Sequence, residues 1–170
     1  MRIAVIPDCQ VKEGVPTEHL EWAGEYLADK KPDVIVNIGD WWDMPSLSSY
    51  DKGKMSFENR RYVKDVQAGN DAMDLLLAPI KKEINRQKRN KKKQWRPRMV
   101  FTIGNHEHRI ERAVQADAIL EDVISYDDLN LSDWEVHSFL EPVVIEGVAF
   151  AHYFTSGVMG RPVSSARALL

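Results

Sequence analysis

Cysteine is almost missing from this chain. Cys9 is the single one in 170 residues, so no internal disulfide can form and a packed core must hold the fold. Nor does Cys9 open a thiol-phosphatase loop: after five intervening residues that chemistry needs arginine, and Val15 stands there. A small, partly buried residue in a tight loop is the expectation for it. No stretch approaches the ~20 apolar residues that span a bilayer, and the opening Met1-Arg2-Ile3 carries no signal-peptide pattern. A cytoplasmic chain without membrane contact is therefore expected. No segment repeats. What is present suits one domain over residues 1–170: 44% apolar and 29% charged residues, in a chain long enough to bury roughly 70% of its unfolded surface.

The pattern along the chain reads as α/β. Residues 2–7 predict a buried strand, and Thr17, as N-cap, opens a helix to about Asp29 with Leu20, Ala23, Gly24 and Leu27 inward. Pro32-Asp33 leads into a second strand through Val34-Ile35-Val36-Asn37-Ile38, which makes a β-α-β unit with parallel strands. Met44 to Ser56 is an irregular stretch placed to line a site. A long helix is predicted from about Phe57 to Asn90, with Val63, Val66, Ala72, Leu75, Leu76 and Ile80 apolar and Pro79 as a kink or break. A third strand over 98–103 and a helix from Glu107 to Ala118 follow. From Trp134 the pattern shifts to short strands, with Glu146-Gly147 as a hairpin turn and a helical Ser164–Leu170 at the end.

Ligand-type residues recur where these strands stop. Asp8 follows the first, Asp40 and Asp43 the second, Asn105 and His106 the third, and His152 ends Val148-Ala149-Phe150-Ala151. In open α/β sheets ligands bind outside the carboxyl ends of the strands. Carboxylates, an amide and an imidazole delivered to one edge suit a two-metal site. Two cations roughly 3.5–4 Å apart clamp a phosphoryl group and activate water. Mixed oxygen and nitrogen ligands favour Mn, with Fe, Zn or Mg as alternatives, over Ca. Gly39 and Gly104 permit the tight turns that aim their neighbours. Taken singly, each residue is as well explained by a turn, a helix cap or a core histidine; order and spacing together carry the reading.

In these motifs the chain resembles the calcineurin-like metallophosphoesterase superfamily, in its phage-type branch. Asp8-Cys9-Gln10 stands for Asp-x-His, Gly39 to Asp43 for Gly-Asp-x-x-Asp, Gly104 to Glu107 for Gly-Asn-His-Asp/Glu, and Ala151-His152 for a later single histidine. The resemblance covers Met1 to about Phe154. It implies a β-sandwich flanked by helices in α-β-β-α layers, and a dinuclear hydrolase that cleaves a phosphodiester or phosphomonoester with metal-activated water. It also implies that Asp8 and Gln10 bind one metal, Asn105 and His152 the other, and Asp40 bridges both. His106 protonates the leaving group or stabilises charge on the phosphoryl oxygens, Asp43 orients His106, and Arg109 meets substrate phosphate. His108 has no family role and reads as a surface residue.

Two departures stand out. Gln10 replaces a histidine, and a carbonyl oxygen is a weaker ligand than imidazole. The family's closing Gly-His-x-His is missing, since no histidine follows His152. The expectation is a domain incomplete at its C-terminus, whether as a cut chain, a shortened gene product or a minimal form. An exposed sheet edge would follow, which a second copy could cover as a homo-oligomer.

Charge is unevenly spread. Residues 81–98 hold ten Lys or Arg against Glu83 alone, a net +9 that leaves −12 on the rest of a chain of net charge −3. Such a run fits nucleic acid or the solvated end of a helix. It favours a nucleic acid or nucleotide substrate. Met44-Pro45 after Asp43 speaks against a protein phosphatase, which carries Arg-Gly there. The competing expectation is a non-catalytic protein- or nucleic-acid-binding module on the same fold.

Overall fold

The computed structural model describes residues 1–50, 53–156 and 160–163. Four parallel strands form one sheet: β1 (Ile3–Ile6), β2 (Val34–Asn37), β3 (Arg98–Thr102) and β4 (Glu135–His137), side by side in that order. Ile3 registers with Val34, Val34 with Arg98, and Val100 with Glu135. β2 and the end of β3 are buried on both faces, as the unbroken Val34-Ile35-Val36 run requires. β1 is less buried than its apolar sequence predicts: it is an outer strand, and Val5 is 48% exposed.

Two helices cover one face. α1 (Glu18–Lys30) turns Leu20, Gly24 and Leu27 inward, as predicted. Thr17 precedes it but its side chain caps nothing; Leu20 N–H donates to the Thr17 carbonyl instead. α2 (Tyr62–Arg89) buries Gly69, Ala72, Met73, Leu76, Leu77 and Ile80. It starts later than the predicted Phe57, because Met55–Phe57 forms a 3-10 turn and Glu58 is extended. Val63, predicted inward, is 72% exposed. The helix runs through Pro79 without ending. Gly24 is where the two helices touch most closely, since a Cβ there would strike the Leu76 backbone.

The other face carries a hairpin. β5 (Val143–Ile145) pairs antiparallel with β6 (Val148–Phe150). Its turn is Glu146-Gly147, both at positive φ (50° and 78°), the two-residue geometry that matches strand twist. Val143 and Ile145 pack on Val34, Val36 and Val100. α3 (Arg109–Ala116) is shorter than predicted because residues 105–108 form turns ahead of it. A last pair, β7 (Phe154–Ser156) and β8 (Arg161–Val163), was not evident in the sequence. The predicted helix Ser164–Leu170 lies outside the described residues. The architecture is thus α/β, a four-stranded parallel sheet flanked by helices. No helix among the described residues is long and apolar enough to cross a membrane.

Candidate metal centre

Parallel strands bring their carboxyl ends to one edge, and the predicted ligands gather there. Residues 9–11 lie against 40–43. Cys9 and Gln10 N–H both donate to the Asp40 carbonyl (3.2 and 2.8 Å), Val11 N–H to Trp41 O (2.7 Å), and Asp43 N–H to Val11 O (2.9 Å). The loop after β3 approaches as closely. A Cβ on Gly39 would meet the Gly104 and Thr102 backbone, and one on Gly104 would meet Asp40. Both glycines are therefore needed for contact between the loops, and Gly39, at φ 88°, also makes the turn predicted for it.

Asp40 sits in the left-handed region, φ 51°, a conformation that costs free energy in a non-glycine residue and persists only where neighbours impose it. Its N–H donates to Glu107 Oε2 (2.9 Å), and its Oδ1 accepts from His106 N–H (2.9 Å). A backbone N–H ahead of α3 is thus spent on holding this carboxylate, whose Oδ2 remains turned to the imidazoles.

Three acceptors converge on one point. His152 Nδ1 lies 2.9 Å from Ile38 O, so the ring proton belongs on Nδ1 and the neutral ring presents a lone pair at Nε2. That Nε2 is 2.8 Å from Asn105 Oδ1 and 3.4 Å from Asp40 Oδ2. Lone pairs at such distances repel unless a cation, or a proton on Nε2, stands between them. Two ligands each about 2.1 Å from one cation lie about 3.0 Å apart at a right angle and about 3.4 Å apart at a tetrahedral one. Asp40, Asn105 and His152 therefore fit one divalent cation. Among the described residues, no three His, Cys, Asp or Glu side chains alone make a metal-binding group; this trio relies on the Asn105 amide oxygen.

The other predicted position is less assembled. Asp8 and Gln10 are exposed. Gln10, at φ 46°, meets Asp8 Oδ2 through its Nε2 donor (3.3 Å) rather than offering a lone pair beside it. Burial, then the Asp40 charge, raises the Asp8 carboxyl above its usual range. Cys9 packs its Sγ on Pro7 O (3.2 Å), and burial pushes its thiol up to about 12, in keeping with an inert residue.

His106 lies between Asp43 and Asp40, with Nδ1 3.0 Å from Asp43 Oδ1 and Nε2 3.7 Å from Asp40 Oδ2. Burial opposes its charge, yet Asp43 and Asp40 outweigh burial and raise its pKa. His106, and then Lys12 at 2.7 Å from Oδ2, hold Asp43 down to about 2. Arg109 braces the loop after β2, its Nη1 donating to the Asp43 and Met44 carbonyls (2.7 and 3.1 Å). His108 is half-buried, not superficial, and stacks on Phe139 with centroids 4.4 Å apart. A cavity of about 440 Å³ opens beside Asp43, its wall balancing Lys12, Arg60, Arg61 and Arg109 against Asp43, Glu13, Glu58 and Asp65. Another of about 470 Å³, beyond Arg109, holds none of the predicted ligands but is lined by Ser46 to Tyr50 of the predicted substrate loop.

Two residues escaped sequence reasoning. Glu107 is wholly buried and accepts three backbone N–H groups: Asp40 and Gly104 on Oε2 (2.9 Å each) and Trp42 on Oε1 (3.0 Å). Burial, then Asp40, lifts its carboxyl to about 7. The signal was its place directly after His106, at the end of the Gly104–Glu107 motif. Lys12 gave no signal at all, since its partner Asp43 lies in another loop.

Comparison with protein-family models, with curated proteins and with solved structures finds no match in any of the three.

Proposed function

We propose that the chain is a metal-dependent phosphoesterase of the calcineurin-like metallophosphoesterase type, with two divalent cations, Mn²⁺ first among candidates, and phosphodiesters as substrates. The observation that carries this reading is the convergence of Asp40 Oδ2, Asn105 Oδ1 and His152 Nε2. Asp8 and Gln10 would complete a second position, with Asp40 shared. The helix-covered sheet with a hairpin on its other face is compatible with the layered sandwich of that family. When bound, the cations supply charge that draws the phosphoryl oxygens and acidifies an attacking water.

The chain's own residues do the rest. Asp43, an ion-pair partner 3.0 Å from Nδ1, would orient His106 and leave Nε2 facing the cluster. Asp43 and Asp40 raise the pKa of His106, which favours the protonated ring that a donor to the leaving oxygen requires. Lys12 neutralises the second oxygen of Asp43. A non-catalytic binding module is the second reading. Exposed Asp8 and the donor face of Gln10 favour it, because they thin out one of the two cation positions.

Mn²⁺-dependent hydrolysis of bis-p-nitrophenyl phosphate, with Asp40→Ala as control, separates the two. Turnover that disappears in the variant supports the enzyme. Turnover no greater than the variant's rejects it.

A further inference from the structure

The basic run does not lie at the metal centre. α2 ends at Arg89 and β3 begins at Arg98, so residues 90–97 sit at the amino end of the sheet. The site is at the carboxyl end, about 17 Å away along five residues of β3 at about 3.3 Å each. A phosphate held by this run is not the phosphate being cleaved.

Apart from Arg96, which donates to Gln94 Oε1 (2.9 Å), its cations fall into two groups. Lys81 pairs with Asp133 (2.8 Å), Arg86 with Glu83 (2.6 Å) and Arg98 with Glu135 (2.7 Å). Lys82, Lys88, Arg89, Lys91, Lys92 and Lys93 are all exposed, and no ion pair or side-chain hydrogen bond engages them among the described residues. A helix C-terminus favours a cation or two in its last turn, which accounts for Lys88 and Arg89 but not for three more lysines beyond it. Those three are displayed by an ordered turn. Lys91, at φ 53°, donates its N–H to Lys88 O (3.2 Å), and Lys92 N–H donates to Gln87 O (3.0 Å). Trp95 then pins the segment, its Nε1 donating to Pro32 O (2.7 Å) and its N–H to Gln87 Oε1. From Lys88 to Lys93 the fold holds like charges together with no ion pair among the described residues, while Lys82 also faces a cavity lined by Glu21, Glu25, Asp29 and Glu83.

We infer that this turn, Lys88 to Lys93 with Lys82 beside it, is a docking surface for the phosphate backbone of nucleic acid, separate from the metal centre. Residues 88–94 contain no apolar side chain, and Trp95 is tied inward, so nothing here would enter a lipid layer. A protein partner would want a desolvated aromatic or apolar anchor at the centre of its contact, and the turn offers none. A row of hydrated cations fits regularly spaced phosphates, bound without regard to sequence. The −12 carried by the rest of the chain would point this end toward a polyanion. The inference stands whether or not the chain is a phosphoesterase.

The test is fluorescence anisotropy of a labelled 20-base-pair duplex in EDTA, across a salt series. Each phosphate contact contributes about −0.9 to the slope of log K against log salt. Four contacts predict about a 150-fold weakening between 50 and 200 mM salt. Changing Lys88, Lys91, Lys92 and Lys93 together to Gln, with far-ultraviolet dichroism unchanged, should remove most of that slope; Lys81→Gln, at a paired lysine, and Asp40→Ala should keep it. An unchanged slope in the fourfold variant overturns the inference, as does loss of binding in Asp40→Ala. No duplex binding by the wild type also overturns it, and phosphatidylserine vesicles bound through the same lysines would then reassign the surface to membranes.

Discussion

Replacing Glu107 by alanine should cost most of the stability of this domain. The carboxylate is wholly buried and accepts the N–H groups of Asp40, Trp42 and Gly104. Each buried donor left without a partner costs about 1–3 kcal/mol, so truncation exposes the fold to a loss of about 3–9 kcal/mol before the cavity is counted. Domains of this size are stable by only about 5–15 kcal/mol. Glu107→Gln keeps the shape and separates the contributions. With its oxygen on the Asp40 and Gly104 donors, the amide places an N–H against Trp42 N–H and forfeits one bond, about 1–3 kcal/mol. At roughly 2–4 °C per kcal/mol for a chain of this length, the glutamine variant should melt several degrees low. The alanine variant should be largely unfolded in urea concentrations where the wild type is native. Equilibrium urea unfolding followed by tryptophan fluorescence reads both. An alanine variant within 1 kcal/mol of wild type would refute the claim that Glu107 ties the two metal-site loops together.

Other outcomes follow from neighbouring contacts. Gly69→Ala should destabilise by about 1–3 kcal/mol, because a Cβ there runs into the Trp42 indole ring; an unshifted urea midpoint would contradict it. Asp43 is held at about 2, below its ordinary 3.8. Its ionised form therefore stabilises fully above pH 4, and that contribution is lost as pH falls toward 2. Asp43→Asn should flatten this part of the melting-temperature profile, and Lys12→Met should move the loss to higher pH. If His106 protonates the leaving oxygen, His106→Ala should lower turnover about 10²–10⁴-fold on a poorly leaving alcohol and much less on p-nitrophenol; equal losses on both would remove that role.

What could be read from the sequence was whatever rests on periodicity and strand ends. The β-α-β unit, the Glu146-Gly147 hairpin and the edge that collects Asp8, Asp40, Asn105 and His152 follow from local pattern and from parallel topology. What could not be read depends on contacts between distant loops. The bracing of the Asp43–Met44 carbonyls by Arg109, the Lys12–Asp43 ion pair and the three-donor clamp on Glu107 each join residues more than thirty positions apart, apart from the Gly104 bond. The start of α2 was misjudged because the apolar residues Met55 and Phe57 continue the helical pattern into a 3-10 turn. Val63 was misjudged because the inward face is set by Gly69 against Trp42, one turn and a half further on. The place of the basic run, opposite the metal centre, follows only from the direction of β3.

The most direct test of the metal centre is Mn²⁺ titration of the apo chain by isothermal calorimetry, beside His152→Ala and Asp40→Ala. Saturable binding by the wild type, lost in both variants and kept in the fourfold lysine variant, is the expected result. Binding that survives both substitutions, or no binding at all, would contradict a cation held by Asp40, Asn105 and His152.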